Sequence, residues 1–535
     1  MLPVPRTVLA ALLALALGMV GCGGDGPPRR VLIVGWDGAT FDRIDPLIEA
    51  GRLPHLAALA SAGTTADLES TRIPISSAAW PTIATGRGPG HHGVYSFFRR
   101  EEESYDVRLV SAMDVAEPPM WRILSGRGHV VNVWGVPVTY PPEPVRGTLV
   151  AGMLSPFDAD YAHPTGVADR LRGEGFVPDL GLWRQDQIAD MATVERQLAI
   201  KEREVVALLE RKDWTFSMVV FKSLDVLCHR PNLRLEGDEI SALYERLDAI
   251  LGSMVAAAGP ETTVIVLSDH GFAEYRRTFD LHRWLVESGW SAQVDARLPE
   301  NGAGGPLAEA RVQQRSVRLG TLDMAQTRAF ADASEGPYGA IRLNVAGREP
   351  DGTLERAAMD QALDELERDL RTLEFPAGVP VVQAVYRGAD VYPGPLSDAV
   401  VPDLVVEVDP AWRVTTTLVG DVLTVGGPPF PDHALDGVFI AGGAGVRSGV
   451  HSGPRGRMHL DDVAPLCLRA LGEPLPMHWK EGPAPLVLER PGSVRRLQPD
   501  EDPGIRSSED VYGDRARTGA DRGVAERIKS IGYGG

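Results

Sequence analysis

After residue 30 the chain enters a continuous apolar run, Val31-Leu32-Ile33-Val34-Gly35-Trp36, with no polar position that could face solvent. Such a run predicts a strand buried on both faces, as in a parallel sheet covered by helices. Comparable runs recur at Phe216 to Phe221, Thr263 to Leu267, Leu404 to Val408 and Val438 to Ala441. Between them the apolar positions take helical spacing, at Pro54 to Ala62, Val194 to Leu209, Ile240 to Ala257, Leu354 to Leu373 and Asp461 to Leu471. Strands alternating with helices predict an α/β fold, a three-layer α/β/α sandwich around a mostly parallel central sheet. In such sheets functional residues collect just beyond the carboxyl ends of the strands.

Two stretches break this rhythm. Residues from about 99 to 194 are rich in Pro, Gly and aromatics, and those from about 281 to 339 include Asn301-Gly302-Ala303-Gly304-Gly305-Pro306. Both are expected as insertions capping the site. They interrupt one catalytic domain spanning 30–490, followed by a polar, charged, Gly-rich tail over 491–535 that is expected to wrap partly over the surface.

The chain's beginning reads differently from its fold. Arg6 precedes an apolar run from Val8 to Val20, too short to favour a spanning helix, and Gly21-Cys22 follows. Small residues before a lone Cys resemble the bacterial lipobox. Residues 1–21 are thus expected to be a lipoprotein-type signal peptide, Cys22 the lipidated first residue, and 22–29 a flexible tether. This predicts an extracytoplasmic protein anchored to a bacterial membrane. The alternative is a simple cleaved signal peptide with an incidental Cys. Cys228 and Cys467, each in apolar surroundings, are expected to be buried thiols without a disulfide.

The strand ends carry the chemistry. The first strand runs into Asp37-Gly38; the second is followed by Asp225 and, four residues on, His229; the third ends in Ser268-Asp269-His270-Gly271. Taken singly, each reads as a turn or a hydrogen-bonded core residue. Converging on one sheet edge, three Asp and several His suit two divalent cations, with Zn²⁺ first on ligand type and Mn²⁺ second. The segment from Arg72 to Gly86 reads as a loop entering a short helix, where a Ser gains positive dipole and free N–H groups beside it. The same position suits ordinary capping. The formal net charge of −19 argues against a nucleic-acid partner, while bound cations would still admit an anionic phosphate.

These pieces resemble the alkaline phosphatase superfamily, specifically its type I phosphodiesterase/nucleotide pyrophosphatase branch and the bacterial phosphohydrolase/phosphomutase-like members. The matching motifs are Gly35-Trp36-Asp37-Gly38, Ser76 to Gly86, Asp225-x-x-x-His229, Ser268-Asp269-His270-Gly271-Phe272, Asn344 to Pro350, Asp432-His433-Ala434 with its following strand, Asp462 to Pro465, and Ile531-Gly532-Tyr533. They occur in the family's order along nearly the whole chain. The resemblance implies that Asp37, Asp269 and His270 bind one metal, and that Asp225, His229 and His433 bind the other. Ser76 takes the nucleophile slot and bridges both metals, with Ser77 as the alternative. His451 and His459 compete with His433 for the sixth ligand.

The implied function is hydrolysis of a small phosphate ester, monoester or diester, through a phosphoserine. Transfer to another alcohol, including phosphomutase chemistry, is the alternative, and a non-catalytic surface lipoprotein a third reading. Ala79 stands where nucleotide pyrophosphatases carry Asn, which leaves Lys222 and Arg87 as candidate substitutes for that donor. Sulfatase chemistry is disfavoured, since no Cys/Ser-x-Pro-x-Arg motif occupies the nucleophile slot.

Overall fold

The computed structural model describes residues 30–100, 104–178, 191–229, 238–294, 320–418, 420–448, 455–508 and 510–512. The expected leader, Cys22, the tether, His451 and Ile531-Gly532-Tyr533 lie outside them. Among the described residues no helix is long and apolar enough to cross a membrane.

A nine-stranded sheet forms the centre, in the order Gly456–His459, Thr64–Glu69, Asp436–Gly443, Thr262–Leu267, Arg30–Trp36, Phe216–Phe221, Val131–Trp134, Gly147–Val150, Ala162–His163. The three long apolar runs are its middle: Arg30–Trp36 pairs in parallel with Phe216–Phe221 on one side and Thr262–Leu267 on the other. Asp436–Gly443 and Ala162–His163 run antiparallel to their neighbours, so the sheet is mostly parallel, as expected.

Helices cover both faces. Pro54–Ala62, Met191–Glu210 and Asp238–Ala258 pack together on one, while Ser76–Thr85, Met120–Gly126 and Val463–Ala470 pack on the other. One continuous apolar core joins these layers, and both Cys228 and Cys467 are buried free thiols. The fold is the expected α/β architecture.

Three expectations need correction. The stretch 99–194 is more than a cap, because Val131–Trp134, Gly147–Val150 and Ala162–His163 extend the central sheet. Its strands are only two to four residues long, and the Gly and Pro between them mask their pattern. Leu404–Val408 is not in the central sheet. It belongs to a separate four-stranded sheet with Ala329–Glu335, Tyr338–Leu343 and Val382–Arg387, and its apolar residues share a second core with helix Met359–Leu370. Burial beneath a helix gives the same apolar signature as burial in a parallel sheet. The second insertion therefore reaches well past residue 339. In the polar tail, which needs no such correction, Arg496–Leu497 pairs with Leu475–Pro476, and Tyr512 is buried.

Candidate active site

Five chain segments deliver side chains to the carboxyl edge of the sheet. Asp37 follows Trp36 directly and its N–H donates to the Phe221 carbonyl at 3.0 Å. Gly38 then turns the chain at φ +76°; a Cβ there would stand 2.6 Å from the Phe272 ring. Beyond Phe221 a short helix, Ser223–Cys228, puts Asp225 and His229 on one face. Ser268 stitches the third strand end to its neighbours, its hydroxyl donating to the Ala39 carbonyl (2.8 Å) and accepting from Val438 N–H (2.9 Å). Asp269 and His270 follow.

His433 arrives from the opposite direction, near the end of Leu423–Ala434 and just before the antiparallel strand Asp436–Gly443. Ser76 opens the helix Ser76–Thr85, whose N-cap residue is Ile75 and which has no side-chain cap. The Ser76 hydroxyl therefore does not cap the helix. It lies 3.2 Å from His270 Nε2 and 3.4 Å from Asp37 Oδ1.

The side chains gather into two triads, Asp37 with Asp269 and His270, and Asp225 with His229 and His433; within each, ligand atoms lie within 4.8 Å of one another. The division is the one implied by the resemblance. Asp225 Oδ1 is 3.1 Å from His229 Nε2 and 3.2 Å from His433 Nε2, and the two imidazole nitrogens are 2.8 Å apart. The triads adjoin, since the His270 and His433 rings stack with centroids 3.6 Å apart.

Tautomers are fixed from outside. His433 Nδ1 faces the Pro74 carbonyl at 2.6 Å and His270 Nδ1 faces the Gly271 carbonyl at 3.0 Å. Each Nδ1–H donates to backbone, leaving the Nε2 lone pair turned into the cluster, the arrangement a metal-binding imidazole requires. His433 is also held by Tyr275, whose hydroxyl donates to its carbonyl at 2.8 Å, and by Asp432 Oδ1, which accepts its N–H at 2.8 Å.

The electrostatics call for positive charge. Burial, reinforced by Asp269 and Asp225, raises the Asp37 carboxyl well above the usual range. Burial and Asp225 push Asp269 up to about 7, and both of its oxygens are buried without a partner of hydrogen-bonding geometry. At Asp225 burial also acts upward, but His229, Lys222 and His433 together outweigh it and hold this carboxyl well below the usual range. Burial lowers His270 to about 4 and also lowers His433, so both are neutral near pH 7. Three buried carboxylates, two of which resist ionisation, and imidazoles with inward lone pairs fit hard or borderline divalent cations.

The remaining sequence candidates sort clearly. His459 is 56% exposed, faces Glu69 at 4.0 Å and joins neither triad. Arg87 donates to the His478 carbonyl at 2.9 Å and contacts His91. Ser77 Oγ is buried with no hydrogen-bond partner. Lys222 stands beside the second triad, its Nζ 3.6 Å from Asp225 Oδ2.

Sequence reasoning gave no role to Trp80, whose Nε1 donates to Asp37 Oδ2 at 2.9 Å. The usable signal was its position four residues after Ser76 on the same helix face.

The model of the family described as type I phosphodiesterase / nucleotide pyrophosphatase matches residues 31–430. No curated protein sequence matches the chain. Among solved structures, phosphonoacetate hydrolase from Sinorhizobium meliloti in complex with phosphonoformate is similar, with TM-score 0.57 and 16% identity over 83% of this chain and 96% of that one. An inactive variant of murine ectonucleotide pyrophosphatase / phosphodiesterase 5 in complex with AMP is also similar, with TM-score 0.51 and 14% identity over 86% of this chain and 100% of that one. At these identities the likeness shows the fold, while the family match spans most of the chain. The protein belongs to the type I phosphodiesterase/nucleotide pyrophosphatase family of the alkaline phosphatase superfamily and is a phosphoric ester hydrolase.

Proposed function

We propose that the protein hydrolyses phosphate esters by in-line attack of the Ser76 hydroxyl on phosphorus. In this reading Asp37, Asp269 and His270 hold one divalent cation, and Asp225, His229 and His433 hold a second. The observation that carries it is the Ser76 hydroxyl, buried beside Asp37 and His270 where it caps nothing. Divalent ions in the two triads would lower the hydroxyl's pKa and offset the charge that develops on the phosphoryl oxygens. Zn²⁺ suits the mixed imidazole and carboxylate donors, with Mn²⁺ second.

The chain's own residues do the rest. The first turn of the Ser76 helix offers N–H groups and a positive dipole to the entering anion. Attack forms the Oγ–P bond and expels the leaving alcohol; water then cleaves the phosphoserine and restores the hydroxyl. The structural relatives are complexed with phosphonoformate and AMP, both phosphorus oxyanions, which supports the same ligand class here. The sequence of the leader further supports an exported, lipid-anchored enzyme.

The test is a panel of aryl phosphomonoesters, phosphodiesters and phosphonate esters, with and without added Zn²⁺ or Mn²⁺, on the detergent-solubilised chain. Cation-dependent turnover of at least one class is expected. No turnover by metal-replete protein would overturn the reading.

A further inference from the structure

The strand Arg30–Trp36 fixes where the chain enters the fold. It is the fifth of nine strands in the central sheet, and it runs from Arg30 up to Asp37. Its first residue and the two triads therefore stand at opposite edges of the sheet, about 20 Å apart along the strand. Arg30 is held within the amino edge. Its side chain donates to the Lys212 carbonyl at 3.4 Å and lies 3.6 Å from Glu261, and the neighbouring strands Phe216–Phe221 and Thr262–Leu267 begin beside it.

Cys22 precedes Arg30 by eight residues, so the chain between them reaches no farther than about 28 Å even at full extension. Helices cover both faces of the sheet. To lay the triads against a bilayer holding Cys22, residues 22–29 would have to pass outside a helix layer and then climb the height of the strand. Clearing the helix takes about 15 Å, and the whole path is about 35 Å. A route around either side of the sheet is no shorter, because four strands about 4.8 Å apart flank Arg30–Trp36 in each direction. The amino edge, by contrast, meets such a bilayer without a detour.

Charge agrees with this placement. At the approaches to the parallel strands Arg146, Arg211 and Lys212 are exposed beside Glu210, Asp213 and Glu261, so formal charges cancel there, on a chain of net charge −19. Anionic headgroups repel this edge less than they repel the acidic remainder of the molecule.

We propose that the amino edge of the central sheet rests on the bilayer that holds Cys22. The two triads then open away from that membrane, and the enzyme takes water-soluble phosphate esters instead of the headgroups of its own bilayer. The orientation rests on the lipid-anchored reading above, and the substrate class on the phosphohydrolase reading.

The test uses the acylated full chain in phosphatidylcholine/phosphatidylglycerol vesicles doped with a lipid spin-labelled at its headgroup. Glu261→Cys at the amino edge and His459→Cys at the carboxyl edge, positions 62% and 56% exposed, each take one thiol-reactive fluorophore. Cys228 and Cys467 are buried and stay unlabelled. The label at 261 should lose most of its emission and the label at 459 little. A soluble aryl phosphate ester should be turned over with the same kcat/KM by the vesicle-bound and the detergent-solubilised chain, with the vesicle phospholipids left intact. Quenching at 459 equal to or stronger than at 261, a kcat/KM that rises on detergent release, or cleavage of the vesicle phospholipids would overturn the proposal. A wild-type chain that does not bind the vesicles would remove the anchored reading and the orientation with it. If the bound chain turns over no ester, the phosphohydrolase reading fails, and the quenching still decides the orientation.

Discussion

Trp80 and Asp37 are joined by a 2.9 Å hydrogen bond, indole N–H to Oδ2, and Gly35 makes room for it: a Cβ at Gly35 would stand 2.5 Å from the indole ring. The bond occupies one carboxylate oxygen and leaves Oδ1, beside Ser76, for a cation. Trp80→Phe keeps most of the ring and deletes the donor. Cation affinity at the first triad should fall about 10- to 100-fold, read by competition with a chelator. Unchanged affinity would mean that the indole only fills space.

Cation uptake should be linked to protons in a defined direction. Asp269 is raised to about 7, so below that pH the metal-free site holds a proton that a cation must displace. Apparent affinity should rise with pH, by up to about tenfold per unit per proton displaced, until Asp269 and Asp37, whose carboxyl is also raised, have both ionised. His270, lowered to about 4, stays neutral through this window and adds no opposing proton. Calorimetry in buffers of different ionisation enthalpy should find more protons released at pH 6 than at pH 8; equal release would sink the assignment of Asp269 as a ligand.

Ser76→Ala should abolish turnover, by on the order of 10⁴-fold or more, while metal content and melting temperature change little, because the hydroxyl caps no helix. Ser77→Ala should be near neutral on both counts, since it removes a buried hydroxyl that has no partner. A dead Ser77→Ala variant beside an active Ser76→Ala variant would shift the nucleophile by one residue.

Membrane attachment is read out by fractionation. Wild type should partition with membranes, and Cys22→Ser should be soluble or retain its leader. Mass spectrometry showing an unmodified mature N-terminus would leave only a plain signal peptide.

The sequence was most informative where a long apolar strand runs into a residue of the two triads. Asp37, Asp225 and Asp269 follow six- or seven-residue strands that are buried almost throughout, so position and chemistry could be read together. His433 offered no such cue. It precedes its central-sheet strand, and it sits on Leu423–Ala434, a largely exposed stretch interrupted by Gly and Pro. The resemblance singled it out, and the apolar strand that follows, Gly437-Val438-Phe439-Ile440, favoured it over His451 and His459. The contribution of Trp80 needed the angle of one helix against a strand end, which periodicity does not encode. Leu404–Val408 shows the converse failure, since an apolar run reports burial but not which layer buries it.

The place of Asp436–Gly443 in the sheet also bears on how the protein is made. Thr64–Glu69, synthesised early, pairs within the sheet only with Asp436–Gly443 and Gly456–His459. Until about residue 440 has been synthesised, its backbone donors and acceptors and those on one side of Thr262–Leu267 lack their sheet partners. Both are edges on which nascent chains can aggregate. Pairing across nearly 370 residues is slow by loop closure, so this interior slot should fill late. Because His433 lies just ahead of the strand that fills it, the second triad gains its third member only as the sheet closes, and a ribosome-bound fragment ending before that point carries an incomplete site.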